Sequence, residues 1–148
     1  MNPFVSDYKT RLHAWKQLRI AIAQTPDATQ AIDVCLAFWR QAPLQNHVLN
    51  CDDETTWPTA WEMIKQNDYC THTHSLGIAE TLRLSDERWQ HIQLCYLRDR
   101  EAQVEKMVCV TEHWVLNHGH VDRCARHQLK HVNKLATWAY QGKSWCRI

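Results

Sequence analysis

Apolar positions recur at spacings of three and four over residues 6–24. Leu12, Trp15, Leu18 and Ile22 form one stripe, while Lys9, Lys16 and Arg19 lie on other faces. That period predicts an amphipathic helix. Thr25-Pro26-Asp27 restarts the chain, Thr25 being suited to capping and Pro26 to a first helical position. A second helix is predicted over 27–41, turning Ile32, Cys35, Leu36 and Trp39 inward and stopped by Ala42-Pro43. Residues 43–57 lose the period, and Asn46, Asn50, Asp52, Asp53 and Thr55 mark a polar loop. Trp57-Pro58 opens a short helix over 58–66 that carries Trp61 and Ile64. Asn67-Asp68 breaks it, and Asp68 is a candidate cap for a fourth helix over 69–83, on which Cys70, His74, Gly77, Ile78 and Thr81 share a face.

The period then drops to two. Over 91–97, Ile92, Leu94 and Tyr96 alternate with Gln93, Cys95 and Leu97, predicting a strand ended by Arg98-Asp99-Arg100. Val104 to Thr111 reads as a second strand and Trp114-Val115-Leu116 as a third, with Glu112-His113 between them. A hairpin is expected there, although the favoured Asn-Gly or Asp-Gly pair is missing. Residues 121–140 return to a helical spacing in Cys124, Leu129, Val132, Leu135 and Trp138, which predicts a closing helix. Helices, then strands, then a helix point to an α+β fold. No repeat or low-complexity tract interrupts it. The expectation is a single domain over 1–148, with a helical N-terminal part (6–41), a core (57–120) and a C-terminal helix and tail (121–148).

Composition narrows the partners. The chain has 148 residues, 45% of them hydrophobic, enough for one core. Lysine and arginine number 17 against 16 acidic residues, a net charge of +1, so no broad attraction to nucleic acid or anionic lipid follows. Arg123, Arg126, Lys130 and Lys134 punctuate the predicted last helix without stacking aromatics or a glycine-rich motif; they read as an exposed face, and no nucleic-acid partner is expected. Apolar runs are too short to span a bilayer, and Met1-Asn2-Pro3-Phe4 lacks the basic flank of a secretion signal. The expectation is a soluble, cytoplasmic protein with no membrane partner. Eight tryptophans against two phenylalanines imply a core of wide, rigid side chains, or tryptophans buried against another subunit. Seven cysteines, at 35, 51, 70, 95, 109, 124 and 146, form no CxxC and read as thiols, most of them small buried apolar groups.

Three clusters carry candidate chemistry. Cys70 opens a predicted helix, where unpaired backbone N–H groups and the helix dipole favour a thiolate. Cys124, His127 and His131, at i, i+3 and i+7, share one face of the predicted last helix as candidate metal ligands; the alternative is a solvated, histidine-rich face. Trp145, in the tail Ser144-Trp145-Cys146-Arg147-Ile148, is a candidate docking anchor. No cofactor is expected.

The stretch from Trp57 to Asn117 resembles the bacterial transglutaminase-like cysteine proteases, which have a papain-like fold. The resemblance rests on Trp57-Pro58-Thr59-Ala60-Trp61-Glu62, on Asp68-Tyr69-Cys70 at the nucleophile, on Leu94-Cys95-Tyr96-Leu97-Arg98-Asp99, and on Val115-Leu116-Asn117. Upstream, Trp15 and Phe38-Trp39 also fit, so the likeness spans about residues 8–120. More narrowly, Phe38-Trp39, Ala42-Pro43-Leu44, Trp57-Pro58-Thr59, Trp61-Glu62-Met63-Ile64 and Tyr69-Cys70 are similar to small transglutaminase-like proteins of large tailed bacteriophages. The resemblance implies a triad at Cys70, Lys106 and Asn117, with lysine where the family has histidine and asparagine where it has aspartate. Cysteine–histidine–asparagine sites work in papain-like enzymes. A lysine, with an ordinary pKa of about 10.4, is a poor proton acceptor near neutrality. The acidic residues expected after the cysteine are here Thr71 and His72. Among stand-in bases, His118 and His120 follow the third strand, His74 shares the face of Cys70, and His72 points elsewhere on the helix.

The resemblance therefore implies N-terminal helices, a central helix starting at Cys70 on a small antiparallel sheet, a C-terminal helix and a degenerate active site. The expected function is a non-enzymatic virion structural or assembly component (head, neck, tail or baseplate), partnered by other phage structural proteins in the virion or the infected host cytoplasm. One alternative is a cysteine peptidase or acyltransferase using Cys70; another is a metal-binding structural protein.

Overall fold

The computed structural model describes residues 2–45 and 49–148; Asn46 of the predicted polar loop lies outside them. After a single 3-10 turn at Pro3–Val5 come four helices: α1 (Tyr8–Ala23), α2 (Ala28–Trp39), α3 (Ala60–Gln66) and α4 (Thr71–Ser85). Six strands follow: β1 (Gln93–Asp99), β2 (Val104–Val110), β3 (Trp114–Leu116), β4 (Arg123–Ala125), β5 (Val132–Gln141) and β6 (Ser144–Arg147). No helix among the described residues is long and apolar enough to cross a membrane.

The helix starts follow capping chemistry, sometimes through a neighbour of the expected residue. Asp7 accepts from the Thr10 N–H to begin α1, and Asp27 rather than Thr25 accepts from Gln30 to begin α2. Thr25 is spent on α1, its hydroxyl donating to the Ala21 carbonyl. In α3, Thr59 and Glu62 form a capping box, and Asn67 ends the helix in the left-handed region at φ 54°. The N-cap of α4 is Cys70, not Asp68, and the Cys70 side chain makes no capping hydrogen bond.

Helix α4 is the hub. Every residue from Thr73 to Leu82 is buried, because α1 and α2 cover it on one side and the sheet on the other. The wide aromatic core expected from the composition is present: Trp15, Trp39, Trp89, Trp138 and Trp145 are all buried. The indole N–H groups of Trp15 and Trp39 both donate to the Thr81 hydroxyl oxygen at 3.0 Å, and that hydroxyl donates to the Gly77 carbonyl. Gly77 has a steric reason of its own. A Cβ there would lie 2.5 Å from a ring carbon of Trp39, a residue only 1% exposed.

The strands make one antiparallel sheet in the order β4-β3-β2-β1-β5-β6. Its helix-facing side contributes Leu94, Met107, Cys109, Leu116 and Trp138 to the main core, while Cys95, Leu97, Val108 and Val115 form a second cluster on the other side. The expected β2–β3 hairpin is present. Without an Asn-Gly pair, it is closed by Thr111, whose N–H donates to the Trp114 carbonyl and whose hydroxyl accepts from the Trp114 N–H.

The α+β expectation holds, but residues 121–140 form no helix. They hold β4, a 3-10 turn and β5, and with β6 they double the sheet anticipated from three strands. A bulge explains the misread period. Tyr96 pairs with Ala136 and Leu97 with Lys134, so Leu135 is an extra, unpaired residue. Each one-residue insertion reverses the inward face of a strand. Val132 thus serves the second cluster while Ala136, Trp138 and Tyr140 serve the main core, and the broken alternation mimics a spacing of three.

Candidate functional site

Where the α4 N-terminus meets the sheet, a cleft of about 530 Å³ is lined by Leu49, Asn50, Cys51, Asp52, Cys70, Thr71, His72 and Tyr96. Three pieces of chain build it. The loop ahead of α3 is held by the Trp57 indole, which donates to the Asn50 carbonyl at 2.7 Å and packs edge-on against Trp138. The first turn of α4 supplies Cys70 and His72, and β1 supplies Tyr96.

The implied triad is not assembled around Cys70. Its sulfur lies 3.1 Å from the Thr73 hydroxyl, and among the described residues no imidazole is hydrogen-bonded to it. Lys106 belongs to the other side of the sheet. It pairs with Leu97 and alternates with Val108, both members of the second cluster, whereas α4 packs on the opposite face. Its ammonium donates to the His118 carbonyl at 2.9 Å and to the Asp99 carboxylate at 3.4 Å. The alternation of β2 turns Glu105, not Lys106, toward the side of the cleft, where it accepts a hydrogen bond from the Tyr96 hydroxyl.

Asn117 does reach α4, in a structural capacity. Its amide nitrogen donates to the Thr71 carbonyl at 2.9 Å and to the Ser75 hydroxyl at 2.8 Å, and its oxygen accepts from the Val121 N–H. Its backbone sits at φ 69°, a region asparagine tolerates. These contacts tie the end of β3 to the first turns of α4.

The histidines are placed otherwise than the helix spacing suggested. His74 is fully buried, packed against the rings of Trp39, Tyr69 and His120, and burial, then His120, pull its pKa down to about 4. His72 faces the cleft instead. Its Nδ1 lies 3.2 Å from the sulfur of Cys51, and its ring packs against Tyr96. Burial lowers the pKa of His72, with Glu105 acting in the opposite sense. Burial, then Cys70, Asp52 and Glu105, push the Cys51 thiol up to about 12. Both groups are therefore neutral near pH 7, and in the tautomer protonated at Nε2 the thiol donates to Nδ1. Cys51, His72, Tyr96 and Glu105 are the residues that sequence reasoning missed as a set. The only local signal was a thiol set among the polar residues Asn50, Asp52 and Asp53.

The candidate metal ligands do not share a face. Cys124 is on β4, His127 is in the 3-10 turn and His131 precedes β5 at φ 59°, with Nε2 at 3.5 Å from Glu101. Among the described residues no group of three or more His, Cys, Asp or Glu side chains is placed to hold a metal ion. Trp145 is not an exposed anchor. It lies in β6, is 7% exposed, and its indole donates to Glu80 at 3.3 Å.

Neither a protein-family model nor a curated protein sequence matches the chain. Solved structures do. The calcium-bound form of Legionella pneumophila LapG superposes with a TM-score of 0.73 at 14% identity, covering 95% of this chain and 80% of that one. Two further LapG structures, one of them EGTA-treated, each give a TM-score of 0.68 at 14% identity, covering 89% of this chain and 74% of theirs. The four helices and the antiparallel sheet are thus arranged in the transglutaminase-like fold that this chain shares with LapG.

Proposed function

We propose that this chain has given up the Cys70-centred reaction of its fold and acts as a non-enzymatic binding component, its cleft seating a polypeptide partner within an assembly. The resemblance to small proteins of tailed bacteriophages makes a virion, or an assembly intermediate of one, the assembly of choice. One observation carries the reading: Lys106, at the position implied for the base, is on the sheet face turned away from Cys70. The internal bonding of Asn117 and the Thr73 contact of Cys70 support it. A cysteine protease needs a proton carrier at its nucleophile, and here neither implied partner serves as one.

The test is twofold. Iodoacetamide labelling across pH is expected to find Cys70 no more reactive than the partly exposed thiols Cys124 and Cys146. The protein is expected to remain, at a fixed copy number, on washed particles. Peptide hydrolysis lost on Cys70→Ser, or absence from washed particles, overturns the reading.

A further inference from the structure

Among the described residues no imidazole is bonded to Cys70, yet the same cleft holds an imidazole against a different thiol. We propose that Cys51 is a nucleophile for acyl donors of the ester or amide class, with His72 as its general base. The inference is independent of the reading of Cys70 and adds a covalent hold to a docking cleft.

The geometry has the required parts. Sulfur and Nδ1 are 3.2 Å apart, within reach for proton transfer, while the competing Leu49 carbonyl is at 3.7 Å from the sulfur. With Nδ1 accepting, the second ring nitrogen carries the proton. Glu105 faces this assembly from β2, bonded to the Tyr96 hydroxyl, and Tyr96 packs on the ring of His72. That carboxylate favours the imidazolium that forms once His72 has taken the proton. The first turn of α4 lines the same cleft as Cys51, and the side chain of its N-cap residue, Cys70, makes no capping hydrogen bond, so the positive end of the helix lies on the side from which a developing oxyanion would be stabilised. Cys51 is only partly buried and lines the cleft, so a substrate carbonyl can approach it.

In the step itself, the Cys51 sulfur attacks the carbonyl carbon while its proton passes to Nδ1 of His72. An S–C bond forms and the bond from carbon to the leaving oxygen or nitrogen breaks. The leaving group takes the proton from the imidazolium, and the product is a thioester at Cys51. No oxidant or metal is needed. Because the resting pair is neutral, the thiol is activated only as it attacks.

The probe is p-nitrophenyl acetate on the full chain, followed by the release of p-nitrophenolate and by peptide mass mapping. The expected result is one acetyl group on Cys51. The acylation rate should fall about 100-fold in His72→Gln, a loss typical of a missing general base. The pH profile of the unmodified protein provides a readout that needs no variant. Among the described residues, the titratable groups around the Cys51–His72 pair are Asp52 from the loop, Cys70 at the head of α4, Tyr96 from β1 and Glu105 from β2. Acylation should rise through an inflection below pH 6.5 and stay level to pH 8, as for a base with a lowered pKa, rather than climb toward the pKa of a free thiol. Acetyl groups on Cys70, acetylation spread over the exposed thiols, an unchanged rate in His72→Gln, or a rate still climbing at pH 8 would each refute the proposal. Hydrolysis that depends on Cys70 would instead overturn the reading above, so the two fail separately.

Discussion

Helix α4 carries two polar clusters of opposite character. Around Thr81, midway along the helix, polar atoms are closed in and matched: two indoles donate to one hydroxyl, which passes its own proton to Gly77. At the first turn, polar groups border an open cleft and are paired across a thiol, an imidazole, a phenol and a carboxylate. The first cluster fixes how three helices cross. The second leaves one side of its groups to an incoming molecule. A buried polar group must find its partners within the protein, whereas a group at a cleft can keep a valence for a ligand.

The largest expected effect comes from breaking the closed cluster. Thr81→Val keeps the shape of the side chain but strands two buried indole N–H groups, at a cost of about 4 kcal/mol, which a urea melt of the variant against the parent will measure. Acid should act next. His74 has a folded-state pKa of about 4, below its unfolded value of 6.5, so the unfolded chain binds the proton more readily. The stability this buried neutral ring contributes is complete above pH 6.5 and is lost as pH falls toward 4, about 3 kcal/mol in all. Urea midpoints measured between pH 7 and 4 should show that fall, and His74→Leu should flatten it.

Asn117 is a closed polar group near the open end of the helix, where it joins the end of β3 to the first turns of α4. Asn117→Ala removes three hydrogen bonds and leaves the Val121 N–H buried and unpaired, so a loss of about 2 kcal/mol is expected on thermal or urea unfolding. At the open cluster the order reverses. Cys51→Ser should change stability by less than about 1 kcal/mol, because the half-buried group can be rehydrated from the cleft, while acetylation at that position is lost. A large stability loss in Cys51→Ser, or a small one in Thr81→Val, would erase the contrast.

Much of the scaffold is written locally. The stripe Trp15, Leu18, Ile22 gave α1, the Thr59/Glu62 box gave the start of α3, and Trp114–Leu116 gave β3 at its observed bounds. Residues 121–140 were misread because the bulge at Leu135 resets the inward face of β5, and a broken period of two imitates a helix. The linear motif alone places Lys106 in the site. One residue of strand alternation separates it from Glu105, and that step moves a side chain to the opposite face of the sheet.

Short-range periodicity and capping are enough for α1 to α4, the first three strands and the seat of Cys70 at the head of a helix, although the same periodicity wrongly predicts a closing helix over 121–140. The pairing of Cys51 with His72 was decided by tertiary structure alone. Twenty residues separate the two, with a helix between them, and no periodicity spans that interval. They meet because Trp57 pins the loop to the sheet while the packing of α4 fixes where its first turn ends, so the chemistry of the cleft depends on where separate elements stop.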